Sequence, residues 1–119
     1  MLLAVTPDQR IVGQLELHVD GRPETKHSGH IGVSVAKEWR GLGVSRSLID
    51  RVIELIRQWA DFCRLELEVY AWNERAIRFY LGAGFVVEGR KRNAVVRRGF
   101  PEDVLLMARV TNIVDRNIR

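Results

Sequence analysis

The sequence predicts an α/β fold, with a mixed, mainly antiparallel sheet and flanking helices in the order β-β-β-α-β-α-β-β. Three observations lead to this prediction. The chain has 119 residues, which is room for one domain, 1–119, with one modest core. Residues 43–63 carry apolar side chains at helical spacing, whereas residues 65–70 alternate strictly between apolar and polar. A helix followed at once by a strand, in so short a chain, indicates helices packed on a single sheet.

The first third of the chain predicts three strands. Residues 2–5 and 11–19 are rich in aliphatic side chains, and the turn signal Thr-Pro-Asp-Gln at 6–9 joins them into an antiparallel hairpin. Residues 24–30 are polar and predict a loop. Residues 31–35 then alternate as a third strand.

The long helix is predicted over residues 43–63, a length of about five turns. Its apolar side chains form one stripe, and charged side chains occupy the opposite face. The stripe consists of Leu48, Ile49, Val52, Ile53, Ile56, Trp59, Ala60 and Cys63.

The second half predicts a strand, a short helix and a final pair of strands. In residues 65–70 the alternation gathers two glutamates and a tyrosine on one face, which makes that face acidic. Asn73 fits the N-cap of a short helix, which the glycines after it would end. Residues 85–92 and 103–110 are the last two predicted strands. The inward side chains of the short helix are predicted to be Ala76, Ile77, Tyr80 and Leu81.

Composition excludes several classes of protein. The apolar stretches are short and interrupted by charge, so we predict no membrane span, no signal peptide and a cytoplasmic protein. One cysteine and three histidines without ligand spacing predict no metal site. The net charge of +4 favours anionic ligands, which include both nucleic acids and phosphorylated cofactors. A nucleic-acid binder is the weakest of our hypotheses, and we predict no nucleic-acid partner.

Residues 33–48 are the most informative segment, because a strand there leads through a glycine-containing turn into the long helix. The first amides of a helix are unpaired and lie at the positive end of its dipole, and glycines let an anion approach the backbone. The pattern is typical of a phosphate-binding loop and equally of a turn that only reverses the chain. It matches neither the Walker nor the dinucleotide-binding spacing. A diphosphate would lie on Arg40, Gly41, Leu42, Gly43, Val44 and Ser45.

This loop resembles the Arg/Gln-x-x-Gly-x-Gly/Ala signature of the GNAT family of N-acetyltransferases, in which the loop holds the diphosphate of acetyl-CoA. Ser45 stands where that signature has Gly or Ala. Residues 65–73, 76–77 and 79–85 are similar to the family's fifth strand, the following helix and the Gly-Phe start of the next strand. The resemblance runs from Leu2 to Val110, and it is closest to the branch that acetylates amino acids, other small amines and protein N-termini.

The resemblance implies the acyl-CoA N-acyltransferase fold, N-terminally truncated, since we expect the chain to start at the family's second strand. It implies an enzyme that transfers acetyl from acetyl-CoA directly to a primary amine in a ternary complex, without a metal. The acceptor would be an amino acid, a polyamine, another small amine or a protein N-terminus. A fragment, a misassigned start and a dimer partner that completes the acceptor pocket stay open, and we expect a homodimer. The alternative function is a non-catalytic CoA-binding or dimerisation module with an incomplete acceptor site.

The resemblance also implies two catalytic residues. Tyr80, seven residues after Asn73, would bring its hydroxyl to the CoA sulfur as a general acid. Glu68, five residues before that asparagine, is the candidate base, because an amine is mostly ammonium at neutral pH. The structural alternatives are a core tyrosine and a sheet glutamate bonded to backbone or basic groups. Glu66 and His30 are weaker candidates for the base.

The remaining implied contacts hold the cofactor. Backbone groups of the third strand would bind the pantetheine arm and the acetyl carbonyl. Asn73 would touch the pantetheine or the base-bearing side of the cofactor. The strand residues concerned are Val33, Ser34 and Val35.

Overall fold

The computed structural model describes residues 1–59 and 61–111. The predicted element order is confirmed. The chain divides between Phe62 and Cys63 into two compact units, called here the N-terminal and C-terminal units, and the single domain over 1–119 stays a prediction. None of the described helices is long and apolar enough to cross a membrane. The elements are β1 Leu2–Val5, β2 Ile11–Val19, β3 Ser28–Val35, α1 Val44–Ile56, β4 Arg64–Tyr70, α2 Glu74–Gly82, β5 Val86–Arg97 and β6 Phe100–Val110.

The N-terminal unit is a three-stranded antiparallel sheet covered by α1. β2 lies between β1 and β3, with Leu15 opposite both Leu2 and Val33. The apolar stripe of α1 packs on this sheet, which buries side chains that the pattern in the sequence had assigned to one face. The buried side chains of the unit include Val12, Leu15, Ile31, Leu48, Ile49, Val52, Ile53 and Ile56.

The third strand begins earlier than the sequence predicts. β3 starts at Ser28 rather than at residue 31, because His30 and Gly29 pair with His18 and Val19 of β2. These are polar or small residues, which lack the alternation that marks a half-buried strand. Backbone pairing needs no apolar side chain, so the hydrophobic pattern could not reveal this extension.

The long helix ends earlier than predicted, and its predicted extent to residue 63 was wrong. α1 ends at Ile56, after which Trp59 donates its amide to the carbonyl of Ile56 in a tighter turn. Asp61 has a positive φ of 67°, which no helix contains. The predicted stripe continues past the helix through Trp59 and Cys63, but Trp59 is 46% exposed. It packs edge-on against the buried Phe62, which is not part of the stripe, with 5.5 Å between ring centroids. Ala60, part of the predicted stripe, lies outside the described residues.

The C-terminal unit contains three antiparallel strands, with β6 between β4 and β5. The predicted alternation of β4 is confirmed, since its apolar face is buried together with Phe85 and Met107. β5 and β6 are longer than predicted and meet at a two-residue turn, Arg98 and Gly99, with φ values of 54° and 81°. Both positive φ values fit the turn class that matches the twist of paired strands.

The cap of the short helix is confirmed, whereas one of its inward side chains is not. The Asn73 side-chain oxygen accepts a hydrogen bond from the Ala76 amide at 3.2 Å, which satisfies a donor that the helix cannot. Leu81 is 48% exposed, so its predicted inward orientation was wrong. Leu81 lies in the last turn of α2, which ends at Gly82.

Candidate active site

The backbone between β3 and α1 forms a tight loop that depends on glycine. After β3, a single 3-10 turn at Lys37–Trp39 directs the chain toward the helix. Gly41 has φ 77° and Gly43 has φ 88°, both in the left-handed region that residues with a β-carbon rarely adopt. Gly43 is the N-cap of α1, and its carbonyl accepts the Ser47 amide at 3.0 Å. The two glycines therefore let the chain reverse directly into the helix.

The start of α1 is open to an approaching anion. The amides of Val44 and Ser45 precede the first bonds within the helix and lie at the positive end of its dipole. A β-carbon built on Gly43 would meet no atom of residues 1–59 or 61–111 within 4 Å. The first turn also contains no acidic residue. Unpaired amides, an uncrowded glycine and the absence of acidic residues from the first turn are together typical of a helix start that binds phosphate.

Arg40 ties this loop to the end of β3, because its Nε donates to the Val35 carbonyl at 3.2 Å. The Arg40 side chain is exposed, and Leu42 beside it is 67% exposed. The predicted diphosphate loop is therefore a continuous surface segment of the N-terminal unit. Its members are Arg40, Gly41, Leu42, Gly43, Val44 and Ser45.

A glycine that the sequence analysis did not select positions this loop. A β-carbon built on Gly13 of β2 would lie 2.7 Å from Val44 Cγ1 and 3.4 Å from Leu48 Cδ1. The first turn of α1 thus packs on bare backbone. The signal in the sequence was a single glycine inside an aliphatic strand, which is typical of a close approach between two segments.

The three predicted residues of β3 lie in the same unit as the loop. Val33, Ser34 and Val35 are paired with Leu15, Gln14 and Gly13 of β2, respectively. Ser34 is exposed, and the two valines are half-buried. Their contacts with a cofactor stay predictions.

Tyr80 lies in α2 of the C-terminal unit and is half-buried. Its ring contacts Phe85 edge-on at 5.7 Å and Phe79 at 5.2 Å, measured between ring centroids. Burial raises the pKa of the Tyr80 hydroxyl above its ordinary value, because the ionised form is poorly solvated there. At neutral pH the hydroxyl therefore keeps its proton and can donate it.

Glu68 lies on the acidic face of β4, as predicted, and its carboxylate accepts a hydrogen bond from the Lys91 ammonium of β5. This pair spans the central strand β6. Glu68 raises the pKa of Lys91 above its ordinary value by this hydrogen bond and by charge attraction. This basic partner is the one that the structural interpretation of Glu68 predicts. Glu68 could act as a base once an acceptor amine has replaced Lys91.

Glu66 is bound by Arg64 of the same strand. Arg64 binds Glu66 at 2.8 Å and Glu88 at 2.7 Å, so one guanidinium bridges two carboxylates across the unit's three strands. The Arg64 guanidinium lowers the pKa of the Glu88 carboxyl, and Glu88 together with Glu66 raises the pKa of Arg64. His30, the other weak candidate, lies in β3 of the N-terminal unit opposite His18.

An aromatic cluster lies at the end of β4 and was missed by the sequence analysis. Tyr70 and Trp72 are stacked with 5.5 Å between ring centroids and 14° between planes. The Arg97 guanidinium lies 5.2 Å from each ring centroid, and the Trp72 indole donates to Glu102 at 3.1 Å. Arg97 and Glu102 belong to the β5–β6 hairpin. The cluster therefore connects Tyr70 and Trp72, which precede Asn73, to that hairpin.

Within the described ranges, no three His, Cys, Asp or Glu side chains gather as metal ligands would.

The candidate residues form two sets. The diphosphate loop and the β3 residues lie in the N-terminal unit, whereas Glu68, Asn73 and Tyr80 lie in the C-terminal unit.

Comparison with solved structures identifies the fold. An acetyltransferase of the GNAT family from Streptococcus pneumoniae superposes with a TM-score of 0.84 at 26% identity, over 89% of this chain and 64% of that one. A GNAT superfamily phosphinothricin acetyltransferase from Sinorhizobium meliloti, solved in complex with AcCoA, superposes with a TM-score of 0.83 at 15% identity, over 92% and 60%. The predicted α/β class and acyl-CoA N-acyltransferase fold are confirmed.

Sequence comparison identifies the family. The profile of the acetyltransferase (GNAT) family matches residues 1–85, so the chain belongs to this family. L-amino acid N-acetyltransferase AaaT of Escherichia coli (strain K12) is 35% identical over 103 residues, which are 87% of this chain and 64% of the relative. The chain therefore spans just under two thirds of that relative's length.

Proposed function

We propose that this chain transfers the acetyl group of acetyl-CoA to a primary amine, directly and within a ternary complex. The observation that carries the proposal is the loop before α1, in which two glycines with positive φ open a helix start beside free space. Membership of the GNAT family and the similarity to an amino acid N-acetyltransferase support it. Amino acids are therefore the first acceptors to test, ahead of polyamines, other small amines and protein N-termini.

The loop fits the diphosphate of acetyl-CoA by its chemistry. The Val44 and Ser45 amides and the Ser45 hydroxyl are donors, and Arg40 adds a positive charge at the rim. Backbone groups of Val33, Ser34 and Val35 would bind the pantetheine arm as a neighbouring strand would, and Asn73 would contact the cofactor. Acetyl-CoA supplies the activated acyl group, and no metal takes part in the proposal.

The chemical step needs two proton transfers at named groups. Glu68 accepts one proton from the acceptor ammonium, which frees the nitrogen lone pair. The N–C bond then forms while the C–S bond breaks, and Tyr80 donates its hydroxyl proton to the departing sulfur. Tyr80 regains a proton from the new amide nitrogen, and Glu68 releases its proton to water. One proton is released in each turnover.

A second candidate function is a CoA-binding module without transferase activity. The observation that favours it is the bond between Glu68 and Lys91, since a carboxylate held by an ammonium is not available as a base. The two functions differ in whether an acceptor replaces Lys91 at Glu68.

A cytoplasmic location and a homodimer stay predictions of the sequence.

Glu68→Gln distinguishes the two functions. The substitution preserves shape and removes the proton acceptor, so transfer should fall by roughly 10²-fold or more while acetyl-CoA affinity is retained. Labelled acetyl-CoA with a panel of amines measures transfer, and calorimetry measures affinity. Glu54→Gln, at an exposed ion pair on α1, is the matched control and should behave as the parent chain. Acetyl-CoA binding without transfer to any amine by the parent chain would support the module instead.

A further inference from the structure

We propose that Lys91 recognises a carboxylate on the acceptor, so that the chain acetylates amines with a neighbouring carboxylate in preference to amines without one. The inference deepens the proposed function and rests on it. It uses the pairing of Glu68 with Lys91, the free space beside that pair and the charges around it.

The pair is accessible, and the carboxylates nearest to it have another cation as a partner. The Glu68 and Lys91 side chains are 34% and 56% exposed. The nearest carboxylates along the same strands, those of Glu66 and Glu88, are both bound to Arg64. An incoming ligand that competes for Glu68 and Lys91 therefore need not break this second network.

A zwitterion complements this pair because it brings both charges. Its ammonium can replace Lys91 at Glu68 while its carboxylate replaces Glu68 at Lys91, so every charge keeps a partner. An amine without a carboxylate can satisfy only Glu68. It would leave Lys91 with only the charge attraction of Glu66 and close to a second cation, which selects against such acceptors.

The sheet leaves room for a small ligand at this point. Glu68 lies opposite Leu106 of β6, and Leu106 lies opposite Gly89 of β5, so all three positions share one face. A β-carbon on Gly89 would meet no atom within 4 Å among the residues that the structure describes. The open position and the backbone of Glu68 are two strand spacings apart, roughly 10 Å, with Leu106 between them. Lys91 follows two residues after Gly89 on the same strand and borders this space.

The test compares two acceptors that differ only in the carboxylate, an L-amino acid and its own carboxamide. The parent chain should prefer the acid in kcat/KM, and Lys91→Gln should lower kcat/KM for the acid by about 10- to 100-fold with little effect on the amide. Lys91→Arg should restore most of the preference. Lys26→Gln, the same charge change in an exposed loop, is the control and should leave both values unchanged.

A binding measurement separates this inference from the proposed function. Calorimetric titration of the same amino acid into the full chain needs no turnover, and Lys91→Gln should weaken that binding while the fold is retained. If the amino acid binds through Lys91 but is never acetylated, the proposed function fails, whereas recognition of the carboxylate by Lys91 stands. An equal loss for acid and amide in the Lys91→Gln variant, or amino acid binding unchanged by it, would overturn the inference.

Discussion

Val44 packs directly on Gly13, with only 2.7 Å between Val44 Cγ1 and the place that a β-carbon on Gly13 would occupy. No real β-carbon tolerates such a contact, so the first turn of α1 can lie this close to β2 only because residue 13 has no side chain. The same turn carries the amides proposed to bind the diphosphate. A strand residue that touches no ligand thus positions the cofactor loop.

Gly13→Ala should therefore weaken both the fold and acetyl-CoA binding. The added methyl group forces Val44, which is stiff at χ1, to move with its helix, and overpacking of this kind costs about 1–3 kcal/mol. Denaturant unfolding and calorimetry measure the two effects. Gly21→Ala adds a methyl group where no atom of the described residues lies within 4 Å, and it should change neither. Unaltered affinity in a Gly13→Ala protein would show that the helix start does not bind the cofactor.

Gly43→Asp and Gly43→Asn form a matched pair at the N-cap of α1. Both side chains tolerate the positive φ of 88° better than other residues do, so both variants should fold. Asp adds a negative charge beside the proposed diphosphate and should bind acetyl-CoA roughly 10-fold or more weakly than Asn does. The same charge interacts favourably with the helix dipole, so the Asp variant should be at least as stable as the Asn variant. Equal affinities of the two would refute the assignment of this loop.

Tyr80→Phe should separate the catalytic interpretation of Tyr80 from the structural one. A general acid predicts a loss of roughly 10²-fold in the single-turnover rate of acetyl transfer, whereas a core ring predicts only about 1 kcal/mol of lost stability. Tyr70→Phe removes a hydroxyl from the aromatic cluster and should leave the rate unchanged. Because burial raises the pKa of Tyr80, ionisation of this hydroxyl should reduce turnover only above pH 10, the ordinary tyrosine value. A transfer rate within a few-fold of the parent's would rule out the acid role.

The Glu88 carboxylate should make the fold sensitive to acid. Arg64 lowers the folded-state pKa of Glu88 below its ordinary value of 4.5, so the pair stabilises the fold at pH values above 4.5. This stabilisation is lost as the pH falls through the folded-state pKa. Glu88→Gln should consequently lower Tm at pH 7 and flatten its decline toward pH 3. Parallel Tm curves for parent and variant across this range would contradict the linkage.

Local patterns were sufficient for most of the fold. The alternation in β4 and the spacing in α1 each extend over several residues and report directly which side is buried, and the Asn73 cap needs only its own helix. The end of α1 could not be predicted, because Trp59 and Cys63 continue the apolar spacing into a turn without any Gly or Pro to mark it. The start of β3 could not be predicted either. There the backbone pairs although polar side chains interrupt the apolar alternation.

The partner of Glu68 was beyond the reach of the sequence. Lys91 approaches Glu68 only because both β4 and β5 pair with β6, and the bulge around Glu88 sets which β5 residues share the face of Glu68. A register that depends on two strand pairings and a bulge leaves no mark in local spacing. The contact between Gly13 and Val44 is hidden in the same way, because it joins a strand and a helix from separate segments.

The order of the strands also sets the order in which the C-terminal unit can form. β4 pairs with β6, yet α2 and β5 lie between them in the chain. During synthesis β6 therefore leaves the ribosome on the order of seconds after β4. The β5–β6 hairpin closes around Arg98 and Gly99 in roughly 1–10 μs once it is complete. We therefore expect the hairpin to form first and β4 to pair with it afterwards. Pulsed hydrogen exchange during refolding should find the β5 and β6 amides protected before those of β4, and the reverse order would exclude this sequence of events.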